Sequence, residues 1–431
     1  MYKTRTFLIF LLLTLLLKPS YAKWVQTGGN SDFPTNTMIT SLLPIPEGAG
    51  GTKLLAGTSG GIYLSSNNYS SWTAVDSGLP NNAFLGVSAL AIDSTNPSGP
   101  VIFAAVRGDI FLTRNTSIGW TPVDSGPTNI GCLTAIPGAT GVTYIFAGSG
   151  GKIFRSIDHG ATWSESDSGI YKCGDIVNIV KSNNCLFAAT TQRIWMSVNN
   201  GESWSLADSG NFFKGPCDGI DGLIIALSTV SNGTNGTDLF AGTSTGGGVF
   251  LSTNNGAAWT RADSGLKNVG NSVFALSGST LFVGTFRGVF FTTNYGTNWI
   301  LADTTGLPIG TTGSDVTCLA STKDNIFAGT SGKGVWRLPL SDVSLKKEPG
   351  SSSSDQKRMD ISICQFSSYI SFSLPVKTGS IAIYDIHGRM VAREYIENNA
   401  AIWRGNHASG RYFAQVTVGE KNIVKSFISI M

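Results

Sequence analysis

Residues 238–266, DLFAGTSTGGGVFLSTNNGAAWTRADSGL, decide the fold. Two short apolar runs, Leu239-Phe240-Ala241 and Val249-Phe250-Leu251, are bracketed by Gly, Ser, Thr and Asn. Gly and Asn accept the left-handed backbone that tight turns demand, so the stretch reads as strands joined by hairpins. The second run enters Ser252-Thr253-Asn254-Asn255-Gly256-Ala257-Ala258-Trp259, and Asp263-Ser264-Gly265-Leu266 follows as a further turn.

The pattern [Ser/Thr]-x-[Asn/Asp]-x-x-x-x-Trp returns six times, ending at Trp72, Trp120, Trp163, Trp204, Trp259 and Trp299, while Trp24 stands alone before them. Consecutive members of this Trp series lie 40 to 55 residues apart, so the chain is an array of one supersecondary unit. Each unit has four apolar runs; in the third they are Gly131–Ile136, Tyr144–Ala147, Ile153–Arg155 and Trp163–Ser166. Four antiparallel strands at that period predict a propeller blade.

The motif falls on the hairpin between third and fourth strands. In Ser156-Ile157-Asp158-His159-Gly160-Ala161-Thr162-Trp163 the carboxylate can accept backbone N–H groups, Gly160 can take positive φ, and Trp163 brings a large apolar face. The same roles fall to Ser197, Asn199, Gly201 and Trp204, to Ser252, Asn254, Gly256 and Trp259, and to Thr292, Asn294, Gly296 and Trp299. Tyr69 and Ser117 replace the Gly in the two earliest copies, where a looser or different turn is expected.

First-strand runs begin near Ile39, Val87, Ile130, Ile176, Ile224, Val273 and Val316, which predicts seven blades. The seventh has three strands of its own, Val316–Ala320, Asn325–Ala328 and Gly334–Leu338, and no closing Trp. The segment Lys23–Gly29 is a strand without earlier partners, so Trp24 is expected to complete the last blade and close the ring, removing two sheet edges.

These hairpins resemble the Asp-box, or BNR, repeat of sialidase-type and sortilin-type propellers, over about residues 23–340. The resemblance implies that the repeat is structural and lies away from the ligand-binding face. Through the repeat alone, the single ring also resembles photosystem II assembly factors, which are non-enzymatic binding propellers.

Composition bounds the function. Lys3 and Arg5, the apolar run Phe7–Leu17 and the small-x-small site Ser20-Tyr21-Ala22 read as a secretion signal, residues 1–22. Cleavage after Ala22 would leave 27 basic against 27 acidic residues, which gives no sequence-wide attraction to nucleic acid or anionic lipid. Phe7–Leu17 is too short to span a bilayer, and no transmembrane span is expected. Of six Cys, Cys132 and Cys318 share a first-strand slot filled elsewhere by small residues, and read as buried thiols. Cys173 and Cys217 sit in loops of adjacent blades, where a disulfide is possible. With three His and no CxxC pair, neither a metal nor a cofactor is expected.

After Leu340 the polar segment Ser344–Arg358 marks a linker, taken over 341–358, and residues 359–431 form short strands of their own, read as a small β-sandwich. Tyr384-Asp385-x-x-Gly388-Arg389, followed by Ser409-Gly410-x-Tyr412, resembles the C-terminal sorting domain of type IX (Por) secretion cargo. The resemblance implies export across both membranes by that machinery and release or anchoring at the surface. Asp385 and Gly388 would shape a hairpin, and Gly410 a bend.

The fold class expected is therefore all-β: a seven-bladed β-propeller over 23–340, closed by the N-terminal strand, then the C-terminal domain. Such a ring places the turns between second and third strands on the face opposite the Trp hairpins. Those turns carry Arg107, Lys152, Arg193, Arg287 and Lys333, a candidate rim for an anionic glycan or protein partner. The tripeptide Arg107-Gly108-Asp109 is too short to argue integrin binding. A glycoside hydrolase would need opposed carboxylates, for which Asp175, Asp218, Asp221 and Asp315 are the candidates, with Asp109 on the same face. Asp76, Asp124, Asp167, Asp208, Asp263 and Asp303, each four residues after a Trp, keep a fixed register and read as turn residues. The N-terminal segment Lys23–Thr40 lacks the Arg expected of sialidases, and a single propeller lacks the two-propeller cleft of Asp-box xyloglucan hydrolases. Non-catalytic recognition is the leading expectation.

Overall fold

In a computed structural model of the chain the described residues are 23–343, except 30, 48–50, 81–85, 116–118, 139–140, 172–173, 208–221, 233–236, 245–246, 267–269, 271–272 and 303, together with the strands between 362 and 429. Residues 1–22, expected as a secretion signal, residues 344–358 of the expected linker, and Cys173, Cys217, Ser117, Asp208, Asp218, Asp221, Asp303, Gly388 and Ser409 lie outside them.

The described residues form seven four-stranded antiparallel sheets and one seven-stranded sheet. Six of the four-stranded sheets are sequential; sheet 3, for example, is Ile130–Pro137, Thr143–Ser149, Lys152–Ser156 and Ser164–Glu165. Sheet 7 combines Val316–Ser321, Asn325–Thr330 and Val335–Pro339 with Val25–Gln26, which pairs Val25 to Arg337 and Gln26 to Trp336. The first strands start at Ile39, Val87, Ile130, Ile176, Ile224, Val273 and Val316, the positions the repeat indicated. Each touches the first strand of the next sheet, and that of sheet 7 touches that of sheet 1.

Second strands are buried on both faces, which explains why they read as unbroken apolar runs. Phe103, Phe146, Phe187, Phe240, Phe282 and Phe327 hold equivalent second-strand positions and are fully buried. The apolar core divides into layers between neighbouring sheets. One joins Phe327 and Val335 of sheet 7 to Ile39, Tyr63 and Trp72 of sheet 1.

Two polar devices lock neighbouring sheets. Six first strands carry a β-bulge at their second residue. Where that residue has a hydroxyl, it donates to the next sheet: Thr40 Oγ1 to Val87 O at 2.5 Å, Ser88 Oγ to Ile130 O at 2.8 Å, and Thr317 Oγ1 to Ile39 O at 2.5 Å. Three Trp indoles reach the preceding sheet: Trp120 Nε1 donates to Val75 O, Trp204 Nε1 to Ser166 O and Trp299 Nε1 to Ala262 O, each at 2.7 Å, whereas Trp163 Nε1 donates within its own hairpin to Gly160 O at 3.1 Å. For the first three the acceptor lies three residues after the preceding Trp of the series. Trp72 Nε1 donates to Thr27 Oγ1 at 3.1 Å, three residues after Trp24.

The Trp hairpins are built as the motif requires. Ser156 Oγ accepts Gly160 N at 2.9 Å while Asp158 Oδ1 accepts Thr162 N at 2.9 Å; Ser197 with Asn199, Ser252 with Asn254 and Thr292 with Asn294 repeat both bonds. Gly160, Gly201, Gly256 and Gly296 have φ of 87°, 85°, 80° and 74°. The turn at Tyr69 keeps the backbone of the others with fewer bonds. Asn68 and Tyr69 take φ of 56° and 65°, with a side chain in the glycine seat, and Asn67 Oδ1 accepts Ser71 N at 3.2 Å. Among the described residues Tyr69 N has no bond to Ser65 Oγ, so the turn is looser, as expected. Tyr69 is buried there, edge-on to Phe327 at 4.6 Å, and that packing offsets the strain.

Cys132 and Cys318 are buried free thiols, pushed up to about 12 by burial. Cys185, which the sequence did not single out, is buried and disulfide-bonded.

In the C-terminal region seven strands hydrogen-bond in series, but Met390–Glu397 and Ala400–Arg404 share only the pair Glu397 and Ala400. Its core draws Phe372, Ala401 and Trp403 from one side of that junction, and Ile381, Ile383, Ile396, Tyr412 and Ala414 from the other. Asp385 accepts Arg389 N at 3.0 Å and Arg389 Nε at 3.1 Å, fixing the expected hairpin. Tyr412 packs edge-on to Trp403, and Gly410 opens the strand that carries Tyr412.

Candidate functional site

The candidate rim is made by the turns between second and third strands, and a buried threonine shapes most of them. Thr58, Thr190, Thr243, Thr285 and Thr330 each end a second strand and are at most 1 % exposed. Their hydroxyls bridge the turn to the carbonyls of Gly61, Arg193, Gly248, Gly288 and Gly334. The same oxygens accept the backbone N–H of Arg287 and of Lys333, both at 3.0 Å, so those cations stand on a fixed backbone. The recurrent Gly-Thr at 57–58, 242–243, 284–285 and 329–330 carried this signal in the sequence. In sheet 2, Arg107 and Gly108 take φ of 54° and 88°, the two left-handed residues of a tight hairpin.

These turns bond to the segments entering the first strands. Arg107 N donates to Gly86 O, Thr191 N to Asp175 O and Ser331 N to Asp315 O. Asp175 and Asp315 therefore share the rim's face, in sheets 4 and 7; Asp175 is exposed and Asp315 half-buried.

The five cations are not equivalent. Arg107, Arg287 and Lys333 are exposed, and among the described residues none has an ion-pair partner. The Lys152 ammonium is bound by Glu165 of its own sheet, which raises its pKa. Arg193 departs from expectation: it is only 3 % exposed. Its N–H bonds Thr190 Oγ1 at 2.8 Å, as that of Lys333 bonds Thr330 Oγ1 at 3.0 Å, so the two turns share this bond while only Lys333 reaches solvent. The available rim is thus Arg107, Arg287 and Lys333.

Asp76, Asp158 and Asp263 are bound into the fold. Burial raises the Asp76 carboxyl even though its Oδ1 accepts Ile62 N at 2.6 Å. Burial also acts to raise Asp158, but bonds from Thr162 and Ser156 outweigh it and hold the group low. Asp263 takes Arg261 Nε at 2.6 Å. Among the described residues no group of three or more His, Cys, Asp or Glu could hold a metal ion, and no helix is long and apolar enough to cross a membrane.

A shallow cavity of about 250 Å³ opens beside Lys333 where sheet 7 meets sheet 1, lined by Gln26, Phe33, Asn36 and Trp336 among others. Nothing in the sequence pattern singled it out, because its walls come from segments some 300 residues apart (Gln26–Thr37 and Gly332–Trp336).

Comparison with known proteins places two parts of the chain. Residues 366–430 match the secretion system C-terminal sorting domain family. The chain is accordingly directed by the type IX system to the cell surface or the extracellular space. No curated protein matches the sequence. Among solved structures, the chain is similar to the GH74 enzyme of Niastella koreensis, at 18% identity and TM-score 0.51 over 72% of this chain and 44% of that one. It is also similar to the extracellular domain of the hybrid two-component system BT4673 of B. thetaiotaomicron, at 12% identity and TM-score 0.57 over 94% and 47%. The GH74 xyloglucanase of Xanthomonas campestris matches at 15% identity and TM-score 0.55 over 93% and 66%. The chain spans less than half the length of the first two. At these identities the likeness is one of fold, and supports a β-propeller.

Proposed function

We propose that the exported protein is a non-catalytic binding ring that recognises a glycan or protein partner carrying anionic groups. In this reading residues 23–340 are a seven-bladed Asp-box propeller closed by its N-terminal strand. Residues 341–358 are a linker, and 359–431 a sandwich-type sorting domain that engages the secretion machinery. The observation that carries the binding role is the trio Arg107, Arg287 and Lys333, exposed without ion pairs among the described residues on turns of one face. Converging cations raise the local potential of a chain whose mature charge is balanced. Replacing all three by Ala should weaken binding to acidic polysaccharides and flatten its salt dependence. Unchanged binding across a salt titration would refute the reading.

The GH74 neighbours favour one alternative, a glycoside hydrolase acting on polysaccharide. Asp175 and Asp315 stand on the same face, with Asp218 and Asp221 as the remaining candidates. Release of reducing ends from a pooled polysaccharide panel, abolished by Asp175→Asn or Asp315→Asn, would establish it in place of simple binding.

A further inference from the structure

The cavity beside Lys333 brings together three kinds of recognition. The first is an aromatic face. One register position of each third strand, opposite Ala56, Ala104, Ala147, Ala188, Ala241, Val283 or Ala328 of the second strand, is aromatic: Tyr63, Phe111, Phe154, Trp195, Phe250, Phe290 and Trp336. Trp195, the other indole of the set, is 1 % exposed, and Tyr63, Phe111, Phe250 and Phe290 are all buried. Phe154 and Trp336 are only partly covered, and of these two Trp336 lines the cavity, with Phe33. Its Nε1 donates to Lys333 O at 2.9 Å, so the ring is held in place rather than free to turn into the core. The part of the ring that the core leaves uncovered is an apolar surface held in a fixed orientation, which a partner can cover.

The second element is a pair of free amides. Among the described residues neither the Gln26 nor the Asn36 side chain has a hydrogen-bond partner, and both line the cavity. Each amide offers donors and an acceptor, the complement that hydroxyl groups require. The third element is the Lys333 ammonium, a compact cation without an ion pair among the described residues. The carboxylate of Asp32, next in sequence to Phe33, is turned to the backbone N–H groups of Gly29 and Trp72, which its Oδ2 accepts, both at 2.9 Å, and it does not line the cavity.

An aromatic face suits the C–H face of a pyranose, amides suit its hydroxyls, and an ammonium suits a carboxylate. The volume, about 250 Å³, lies just below the ~300–1,000 Å³ of drug-sized ligand pockets, which fits one sugar ring rather than a chain of them. We infer that this cavity binds a single hexuronate residue of an acidic polysaccharide, stacked on Trp336, with its carboxylate at Lys333 and its hydroxyls at Gln26 and Asn36. The assignment rests on the rim reading above and gives it a substrate class.

Titration of the full exported chain with the methyl glycosides of glucuronate and galacturonate, against methyl glucoside and galactoside, tests this. At least one uronoside should bind about tenfold or more tighter than its neutral counterpart, the range expected of a charged hydrogen bond. Lys333→Gln should erase that preference, and Trp336→Leu should abolish binding. Because Trp336 also packs on the core, the surface double variant Asn36→Gly/Lys333→Gln is the decisive one. Asn36 has φ of 60°, so glycine preserves its backbone. Wild-type affinity in the double variant, no binding of any uronoside, or full displacement of the sugar by an aspartate-rich peptide would each overturn the assignment. If acidic polysaccharide binding is lost in Arg107→Ala/Arg287→Ala but kept in the double variant, the cavity assignment falls and the rim reading survives. If it is kept in both, both fail.

Discussion

Asp93 ends the first strand of sheet 2, its side chain wholly buried, and its Oδ2 meets His159 Nδ1 at 2.5 Å. His159 sits on the Trp hairpin of sheet 3, with φ of 58°, so the pair ties two sheets together. Thr95 donates both its N–H, at 2.9 Å, and its hydroxyl, at 2.8 Å, to Asp93 Oδ1. Burial pushes the Asp93 carboxyl up, but the bonds from His159 and Thr95 outweigh it and hold the group below its ordinary value of 3.8. A carboxylate held low in the folded state stabilises the fold at pH above that ordinary value. The contribution is then lost as pH falls through the group's own, lower value. Asp93→Asn should therefore cost about 1–3 kcal/mol at neutral pH. The gap from the wild type should close as denaturation curves are taken below pH 3.8. A gap of constant size down to pH 2 would show that shape rather than charge holds the junction.

At the scale of elements, the turn after each fourth strand decides how sheets are joined. Gly78, Gly169 and Gly265 have φ of 86°, 93° and 88°, and a Cβ on any of them would run into the carbonyl oxygen of the next Trp: Trp120, Trp204 or Trp299. Gly306, with φ of 94°, stands in the same relation to Trp24. The N–H groups of these Trp residues donate back to the same turns: Trp120 to Ser77, Trp204 to Ser168, Trp299 to Ser264 and Trp24 to Thr305. Gly306→Ala should destabilise the protein by about 1–3 kcal/mol, and Gly169→Ala by as much. Parallel unfolding curves check it, and a neutral Gly306→Ala would mean that Trp24 is not seated there. Much of this was legible in sequence, because Gly and Trp recur at fixed local spacing. What escaped were roles set by another segment. Arg193 is buried although its turn carries the same threonine bond as that of exposed Lys333, and Tyr69 takes a glycine's left-handed backbone where Phe327, far along the chain, packs on it. The hydroxyls of Thr40, Ser88 and Thr317 find their acceptors on the next sheet. The candidate site was legible as charges on turns, but which charges are free, and the cavity beside Lys333, depend on packing between chain ends.

For the whole molecule, the decisive junction is between sheet 7 and sheet 1, where those ends meet. Three independent contacts cross it. Thr317 donates to Ile39 O at 2.5 Å, Trp72 donates to Thr27 Oγ1 at 3.1 Å, and a Cβ on Gly329 would strike the Ile39 side chain, as one on Gly57 would strike Val87 between sheets 1 and 2. Trp24, 1 % exposed, fills the layer between sheets 6 and 7 beside Phe291, Ala302 and Leu338. The strand Val25–Gln26 covers the edge of Val335–Pro339 through Arg337 and Trp336. Removing residues 23–28 would empty the Trp24 seat, a loss of about 3–5 kcal/mol by analogy with other buried Trp truncations. It would also leave a bare strand edge ready to pair with another chain. The expected outcome for the truncated chain is loss of a discrete monodisperse species, measured by size-exclusion chromatography with light scattering, together with a lowered unfolding midpoint. Trp24→Ala in the full-length strand separates the two effects. It should lower the midpoint while keeping the wild-type particle size, because the edge stays covered. Were the truncation to remain as stable and as monodisperse as the intact protein, the N-terminal strand would be an ornament rather than the closure of the ring.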